Sequence, residues 1–180
     1  MKIAVLLFIA MLVLVNSCQE VSDPETEKEK IIEVINAETQ AYMDFDFEKV
    51  ISFYVQDSLN FRLSTGTDDH VFLEGWDEVE DFFRNELIDT NPNTPPNTHV
   101  KVSKDNYRIK LFENAAFVLC TEKWTYKTPA GVIEIDSQQV RFMEKVDDEW
   151  KIAFLSFVGT SGYEQEGELE ELGLEFNTAF

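Results

Sequence analysis

Four long segments between residues 100 and 158 alternate in the manner of β-strands and are separated only by short turns. They are Val100–Phe112, Ala115–Lys127, Val132–Val146 and Trp150–Val158. Side chains on a strand point alternately to its two faces, so each segment can cover one face of a sheet with apolar groups. Consecutive strands joined by short turns pair antiparallel. The second half of the chain is therefore predicted to form an antiparallel meander.

Three segments before this meander have the helical spacing of apolar residues. The longest runs from Glu27 to about Phe45 and places Ile31, Ile35 and Tyr42 on one face. Two shorter helices are predicted at Phe47–Gln56, with Asp46 as N-cap, and at Trp76–Ile88, and two short strands at Leu59–Leu63 and Val71–Leu73. Helices followed by a run of antiparallel strands favour an α+β fold in which the helices pack on one face of a curved sheet.

The N-terminus has the pattern of a lipoprotein signal peptide. Lys2 precedes an unbroken apolar run, Ile3–Val15, which is shorter than the about 20 apolar residues of a membrane-spanning helix but typical of a signal-peptide core. The run ends in Val15-Asn16-Ser17-Cys18, which resembles the bacterial lipobox. In that motif diacylglycerol is attached to the cysteine sulfur before cleavage makes Cys18 the new N-terminus. The alternatives are an ordinary signal peptide followed by an incidental cysteine, and an uncleaved N-terminal anchor.

These features divide the chain into four predicted parts. Residues 1–17 form a lipoprotein signal peptide, 18–26 a polar tether, 27–160 one folded domain and 161–180 an acidic tail. Fatty acids such as palmitate on Cys18 would anchor the protein in the bacterial cell envelope. Gln19 in place of an aspartate after the cysteine favours the outer membrane, if the host follows the common enteric sorting rule.

The charge of the chain restricts its partners. It has 35 acidic and 15 basic residues and a formal net charge of -20. Such a protein repels phosphate backbones and anionic lipid surfaces, so we expect no nucleic-acid partner, and membrane contact only through the N-terminal lipid. If Cys18 is acylated, Cys120 is a lone thiol within an apolar run, which predicts a buried structural cysteine without a disulfide.

Three short motifs resemble one known family in their order and spacing. They are Asp46 with Tyr54-Val55-Gln56-Asp57, Gly75 with Val79, Phe82 and Phe83, and Asp148-Glu149-Trp150-Lys151-Ile152. Over about residues 27–160 the chain is similar to the nuclear-transport-factor-two-like superfamily, in its SnoaL-like branch. The resemblance implies a cone-shaped, curved antiparallel sheet wrapped around the N-terminal helices, with a pocket at the open end.

The superfamily includes isomerases, cyclases and dehydratases as well as non-catalytic domains, so the fold alone does not assign a function. In the isomerase type, the resemblance places the carboxylate base near Arg62, a tyrosine near Glu38 and an aspartate near Gln138, and none of the three matches. An arginine does not accept a proton at neutral pH. His70 and His99, the only histidines, fall in a polar turn and behind a proline-rich loop. No phosphate-binding loop, nucleophile elbow or metal-ligand cluster is present in the sequence, so neither a cofactor nor a metal is expected.

The remaining candidate is a ligand pocket with Arg62 on its floor. Asn60, Arg62 and Ser64 share one strand face, and the resemblance implies that this face looks into the cone. A buried arginine needs an acceptor, and Glu38 on the first helix is the leading candidate. If the two pair, the pocket suits a neutral ligand or none; if Glu38 points away, an anionic ligand is favoured. The predicted ligand-binding residues are Glu38, Tyr42, Tyr54, Asn60, Arg62, Phe82, Phe83 and Lys123.

Each of these residues also has a purely structural interpretation, as a surface charge, an internal ion pair or ordinary core packing. If Lys123 faces the pocket, Trp124 and Tyr126 on the same strand would lie on the outer face of the sheet and form a homodimer surface. The residues expected to be largely buried in the core are Ile31, Ile35, Ile51, Phe82, Phe117, Leu119 and Phe157.

Two functions are consistent with these residues. The first is a lipid-anchored domain that binds, without catalysis, an apolar or anionic small molecule in its pocket or a protein partner on its sheet face. The alternative is a small-molecule isomerase, lyase or polyketide-cyclase-like enzyme with an unrecognised active site. A carboxylate or histidine with a proton path in the pocket would favour the enzyme, whereas a binding site needs only shape and apolar lining.

Overall fold

The computed structural model describes residues 23–65, 70–89, 100–128 and 131–159. The predicted signal peptide with Cys18, the loop with His99 and the acidic tail 161–180 lie outside these residues. No helix within the described ranges combines the length and the apolar character that crossing a membrane requires.

Three helices form where the apolar spacing predicts them. Asp23 caps the first, because its carboxylate accepts a hydrogen bond from the Thr26 N–H at 3.2 Å. The predicted N-cap of the second is confirmed, since the Asp46 carboxylate accepts from the Lys49 N–H at 3.1 Å. The helices are α1 (Pro24–Met43), α2 (Phe47–Ser52) and α3 (Trp76–Arg84), and a π-helical turn, Asn85–Asp89, follows α3. Because α1 begins before Glu27, the last residues of the predicted tether belong to the helix.

Six strands form one curved, unclosed sheet, which confirms the predicted α+β cone. They are β1 (Phe61–Thr65), β2 (His70–Glu74), β3 (Val100–Leu111), β4 (Ala115–Thr128), β5 (Gly131–Val146) and β6 (Glu149–Gly159), in the order β2-β1-β6-β5-β4-β3. The four long strands form the predicted antiparallel meander. β1, however, pairs with β6 in parallel, with Arg62 opposite Leu155. The chain leaves this edge after the β1–β2 hairpin and re-enters the sheet at the opposite edge as β3, so β6 returns to β1 from the far side.

Gly75 fixes the start of α3 next to β1. Its φ of 85° lies in the left-handed region, which residues with a Cβ rarely adopt. The Gly75 N–H donates to the Asn60 carbonyl at 2.8 Å, and the Trp76 N–H donates to the Asp57 carbonyl at 3.0 Å. These bonds tie the first turn of α3 to the residues just before β1, so that the aromatic face of α3 meets the inner side of β1.

The structure reverses the predicted faces of β4. Ala116 and Glu122 are buried, at 0% and 2% exposure, whereas Phe117, which was predicted to be buried, is 39% exposed. The even-numbered side chains of this strand therefore point toward the helices. Ala116 packs in one core cluster with Ile31 and Ile35 of α1, a place where a small side chain fits close to the helix.

Two further predictions change with this register. Lys123 lies on the outer face: its side chain is 42% exposed and its Nζ lies 3.1 Å from a carboxylate oxygen of Glu134, so the prediction that it faces the pocket is wrong. Trp124 lies on the inner side, where its Nε1–H donates to the buried Glu122 at 2.7 Å. The Tyr126 ring stacks on Trp124 with the centroids 6.2 Å apart. These two rings therefore do not form the predicted dimer surface.

The core lies between the helices and the inner face of the sheet. Ile31 and Ile35 are fully buried, as predicted. Cys120 is also buried, as predicted, and burial raises the pKa of its thiol. The residues that are partly rather than fully buried are Ile51, Phe82, Leu119 and Phe157. The apolar positions of α1 thus identify the core more reliably than those of the strands, where both faces carry apolar side chains.

Candidate ligand-binding site

Arg62 lies on the inner side of β1, as predicted, and is 4% exposed. Its guanidinium carbon is 4.6 Å from the ring centroid of Phe82, 5.3 Å from that of Phe83 and 5.0 Å from that of Phe157. Among the residues that the structure describes, this guanidinium forms neither an ion pair nor a hydrogen bond. Cation–π contacts contribute about 0.5–2 kcal/mol each, whereas removing a charged group from water costs several kcal/mol. The three rings offset a share of this cost, but none of them supplies an acceptor for the guanidinium N–H groups.

Glu38 does not pair with Arg62, and that prediction is wrong. Glu38 is 4% exposed, and its carboxylate accepts hydrogen bonds from Arg141 Nη1 at 3.2 Å and from the Tyr54 hydroxyl at 2.8 Å. Burial raises the pKa of Glu38, but the positive charges of Arg141 and Lys104 and the hydrogen bond from Tyr54 outweigh it, so that the pKa is lowered overall. Glu38 points inward, as a fully ionised partner of Arg141.

Arg141 is a site residue that the prediction did not include. It is 1% exposed, and its Nε and Nη2 donate to Gln139 Oε1 at 3.3 and 3.0 Å. Because two donors hold the oxygen of this amide, Gln139 Nε2 must point the other way, and it has no hydrogen-bond partner. The hydroxyl of Ser137, two residues earlier on the same face of β5, is also without a partner. Alternate polar residues at 137, 139 and 141 of a predicted strand were the sequence signal for this inner face.

A second buried ion pair lies beside the first. Lys104 Nζ is 2.6 Å from a carboxylate oxygen of Glu122, and the two side chains are 1% and 3% exposed. Lys104 also donates to the Thr39 hydroxyl, and Glu122 accepts from Trp124 Nε1–H. This pair was also missed, because it depends on the register of β3 against β4, in which residues 104 and 122 are directly opposite.

The charges in this part of the interior do not balance. Arg141 is matched by Glu38 and Lys104 by Glu122, which leaves Arg62 as the buried cation without an ion pair among the described residues. Glu86, which follows α3, is partly buried; burial raises the pKa of its carboxyl overall, and the nearby Arg62 charge offsets a part of that rise. Glu86 thus lies within electrostatic reach of Arg62 without forming an ion pair.

Of the other predicted residues, the tyrosines pack near Arg62, whereas Asn60 joins two strands. The Tyr42 ring meets Phe83 edge to face at 6.5 Å, and burial raises the pKa of Tyr42 to about 12. Tyr54 packs on Phe83 with the centroids 5.0 Å apart. Asn60 has a structural role, because its Nδ2 donates to the carbonyls of Val55 and Ile152 and so joins the start of β1 to β6; its Oδ1 has no partner. The predicted residues that the structure brings together are Glu38, Tyr42, Tyr54, Arg62, Phe82 and Phe83.

A metal site requires several ligand side chains that lie close together. Within the described ranges, no three side chains of His, Cys, Asp or Glu lie close enough together to hold a metal ion. Around Arg62, the described residues supply an open guanidinium, the ion pairs Glu38–Arg141 and Lys104–Glu122, and an aromatic wall.

No protein-family model matches the sequence, and no curated protein matches it. Solved structures of low identity have the same fold. An NTF2-like protein of unknown function from Shewanella oneidensis is 20% identical, with a TM-score of 0.53, over 73% of this chain and 98% of that chain. The association domain of CaMKII from C. elegans is 16% identical, with a TM-score of 0.59, over 76% of this chain and 97% of that chain.

A suggested dehydratase of the NTF2-like family from Streptomyces avermitilis is 17% identical, with a TM-score of 0.59, over 77% of this chain and 99% of that chain. At these identities the likenesses show that the fold is the NTF2-like cone, and they show nothing finer. The assignment to the SnoaL-like branch stays a prediction.

Proposed function

We propose that this protein binds a small molecule without catalysis, in a pocket on the inner side of the sheet with Arg62 at its floor. The observation that carries the proposal is a buried guanidinium that contacts three aromatic rings and, in the described part of the chain, no acceptor. Tyr42, Phe82, Glu86 and Phe157, which surround it, are only partly buried. The group therefore lies just beneath an accessible surface, where a ligand can reach it.

The ionisation of Glu38 and Tyr54 supports binding rather than catalysis. General acid–base catalysis is most effective when the pKa of the group lies near the working pH. The pKa of Glu38 is lowered, whereas burial and the charge of Glu38 raise that of Tyr54 well above its ordinary value. The alternative remains an isomerase, lyase or polyketide-cyclase-like enzyme. Two observations favour it: the hydrogen bond between Tyr54 and Glu38, and the suggested dehydratase among the structural neighbours. A carboxylate already held by Arg141 is a poor base, so binding is the better proposal.

We further propose that a lipid on Cys18 holds the domain at the bacterial cell envelope, in the outer membrane. The support is the apolar run Ile3–Val15 that ends in a lipobox-like sequence. Because the net charge of -20 gives no electrostatic attraction to anionic lipid surfaces, the lipid alone would hold the protein at the membrane in this proposal.

A homodimer is proposed through the outer face of the sheet. Phe72 and Phe117 are 53% and 39% exposed there, and Val158 is 46% exposed. Apolar side chains that remain exposed on one face favour a contact with another chain. One structural neighbour is an association domain by name, which supports a role in assembly.

A thermal-shift screen of the full chain tests the binding proposal. The compounds should include small carboxylic acids, neutral amides and alcohols, and amines, against the wild type, Phe157→Ala and Phe72→Ala. Phe157 contacts Arg62, whereas Phe72 is on the outer face and serves as the matched control. At least one class of compound should raise the Tm of the wild type and of Phe72→Ala but not that of Phe157→Ala. If no class does so, the proposed function is refuted; if a bound compound is turned over, the enzyme alternative replaces it.

A further inference from the structure

We propose that the ligand is a small organic monocarboxylate whose carboxylate pairs with Arg62 and whose apolar body packs against the surrounding rings. This inference rests on the proposed function of the same site. Its starting point is the charge imbalance of the interior: Arg62 is left over after Arg141 pairs with Glu38 at 3.2 Å and Lys104 with Glu122 at 2.6 Å. An anionic group supplied by a ligand would complete the balance.

The surroundings of Arg62 favour a carboxylate over other anions. An aromatic ring interacts with a guanidinium through its π-electrons and offers no lone pair to the N–H groups, so the planar N–H fork has no acceptor among the described residues. A carboxylate matches that fork with two parallel hydrogen bonds. The match is one of shape as well as of charge.

The charge of the site favours a monoanion. A phosphate dianion would need a second cation, and the two other cations of this interior, Lys104 and Arg141, are each held by a carboxylate. Glu86 is only partly buried, so water screens its charge, and what remains of that charge repels a dianion more than a monoanion. With one open guanidinium and no second free cation among the described residues beside it, the site is suited to a single negative charge.

The rings define the rest of the ligand. Phe82 and Phe157 are partly buried and both contact the guanidinium, at 4.6 and 5.0 Å, so they offer apolar surface to an aliphatic or aromatic body attached to the carboxylate. Gln139 Nε2 and the Ser137 hydroxyl are unpaired donors on the same inner face, and Gln139 is directly opposite Phe157 in the β5–β6 register. An oxygen substituent on that body would satisfy these donors.

Matched acid–amide pairs test the inference on the full chain by titration calorimetry. Phenylacetate with phenylacetamide, and hexanoate with hexanamide, differ in charge but barely in shape. We expect the acids to bind with a Kd at or below about 1 mM and at least tenfold more tightly than the amides. Arg62→Met should remove acid binding, Arg62→Lys should weaken it, and Lys123→Met should leave it unchanged, because Lys123 lies on the outer face.

The outcomes separate this inference from the proposed function. If amides bind as tightly as acids, or if Arg62→Met binds acids like the wild type, the carboxylate inference is wrong. If neutral compounds alone bind, and lose binding in Phe157→Ala, the pocket is retained while the carboxylate is rejected. If no compound of any class binds, both proposals fail. Should Arg62→Met not fold, the acid–amide comparison on the wild type still decides.

Discussion

Replacing Glu38 by glutamine removes the negative charge that faces Arg141 and keeps an oxygen that can accept its hydrogen bond. Both side chains are almost completely buried, at 6% and 1% exposure, and the ion pair is 3.2 Å long. Breaking a buried pair by neutralising one partner costs about 3–5 kcal/mol, because the other charge stays buried without compensation. Since the amide oxygen remains as an acceptor, we expect the low end of that range, about 3 kcal/mol.

The assay is urea unfolding of Glu38→Gln against the wild type, followed by tryptophan fluorescence, together with the Tm. A loss of this size corresponds to a fall in Tm of about 10 °C for a domain of this length. Glu134→Gln is the matched control, because its pair with Lys123 has almost the same length, 3.1 Å, but is exposed at both ends. That control should leave the unfolding midpoint unchanged. Equal losses in the two variants would refute the argument, because burial would then not be what makes the pair matter.

Three further predictions concern pH, the anchor and association. Because the folded-state pKa of Glu38 is lowered, the contribution of its ionised form to stability is complete above the unfolded pKa of about 4.3 and disappears as the pH falls through the folded value. Urea unfolding midpoints measured from pH 7 to pH 2 should therefore fall more steeply below about pH 4 in the wild type than in Glu38→Gln. Cys18→Ala should abolish incorporation of a fatty-acid probe and membrane association, and unchanged labelling would contradict the lipobox assignment. Phe117→Glu should convert a dimer to a monomer by light scattering, and a wild type that is already monomeric would disprove the proposed interface.

The elements could be predicted from the sequence because their signals are local. The spacing of Ile31 and Ile35 and the N-cap Asp46 identified helices within a few residues of their observed ends. The face of β4 could not be assigned in this way, because Ala116 and Phe117 are both apolar and the choice between them depends on how closely α1 approaches the strand. That single-residue shift moved Lys123 to the outer face and the neighbouring aromatic side chains inward.

The site was predicted in part, for a related reason. Alternation placed Arg62 on one face of its own strand, and the resemblance to the superfamily implied that this face points inward. The partner of Glu38 depends on which distant strand lies beneath α1, and nothing near either residue in the sequence distinguishes Arg62 from Arg141. Tertiary packing places Arg141, and not Arg62, within hydrogen-bonding distance of the Glu38 carboxylate.

The parallel pairing of β1 with β6 has a consequence for the order of folding. Residue 62 lies opposite residue 155, so this contact closes a much longer loop than the hairpins among β3, β4, β5 and β6. Long loops are closed late because their closure entropy must be overcome before the contact forms. Phe157, one of the three rings around Arg62, is itself on β6. On a chain that is still emerging from a ribosome, the surroundings of Arg62 are incomplete until the last strand brings Phe157, and ligand binding would therefore report that the whole domain is complete.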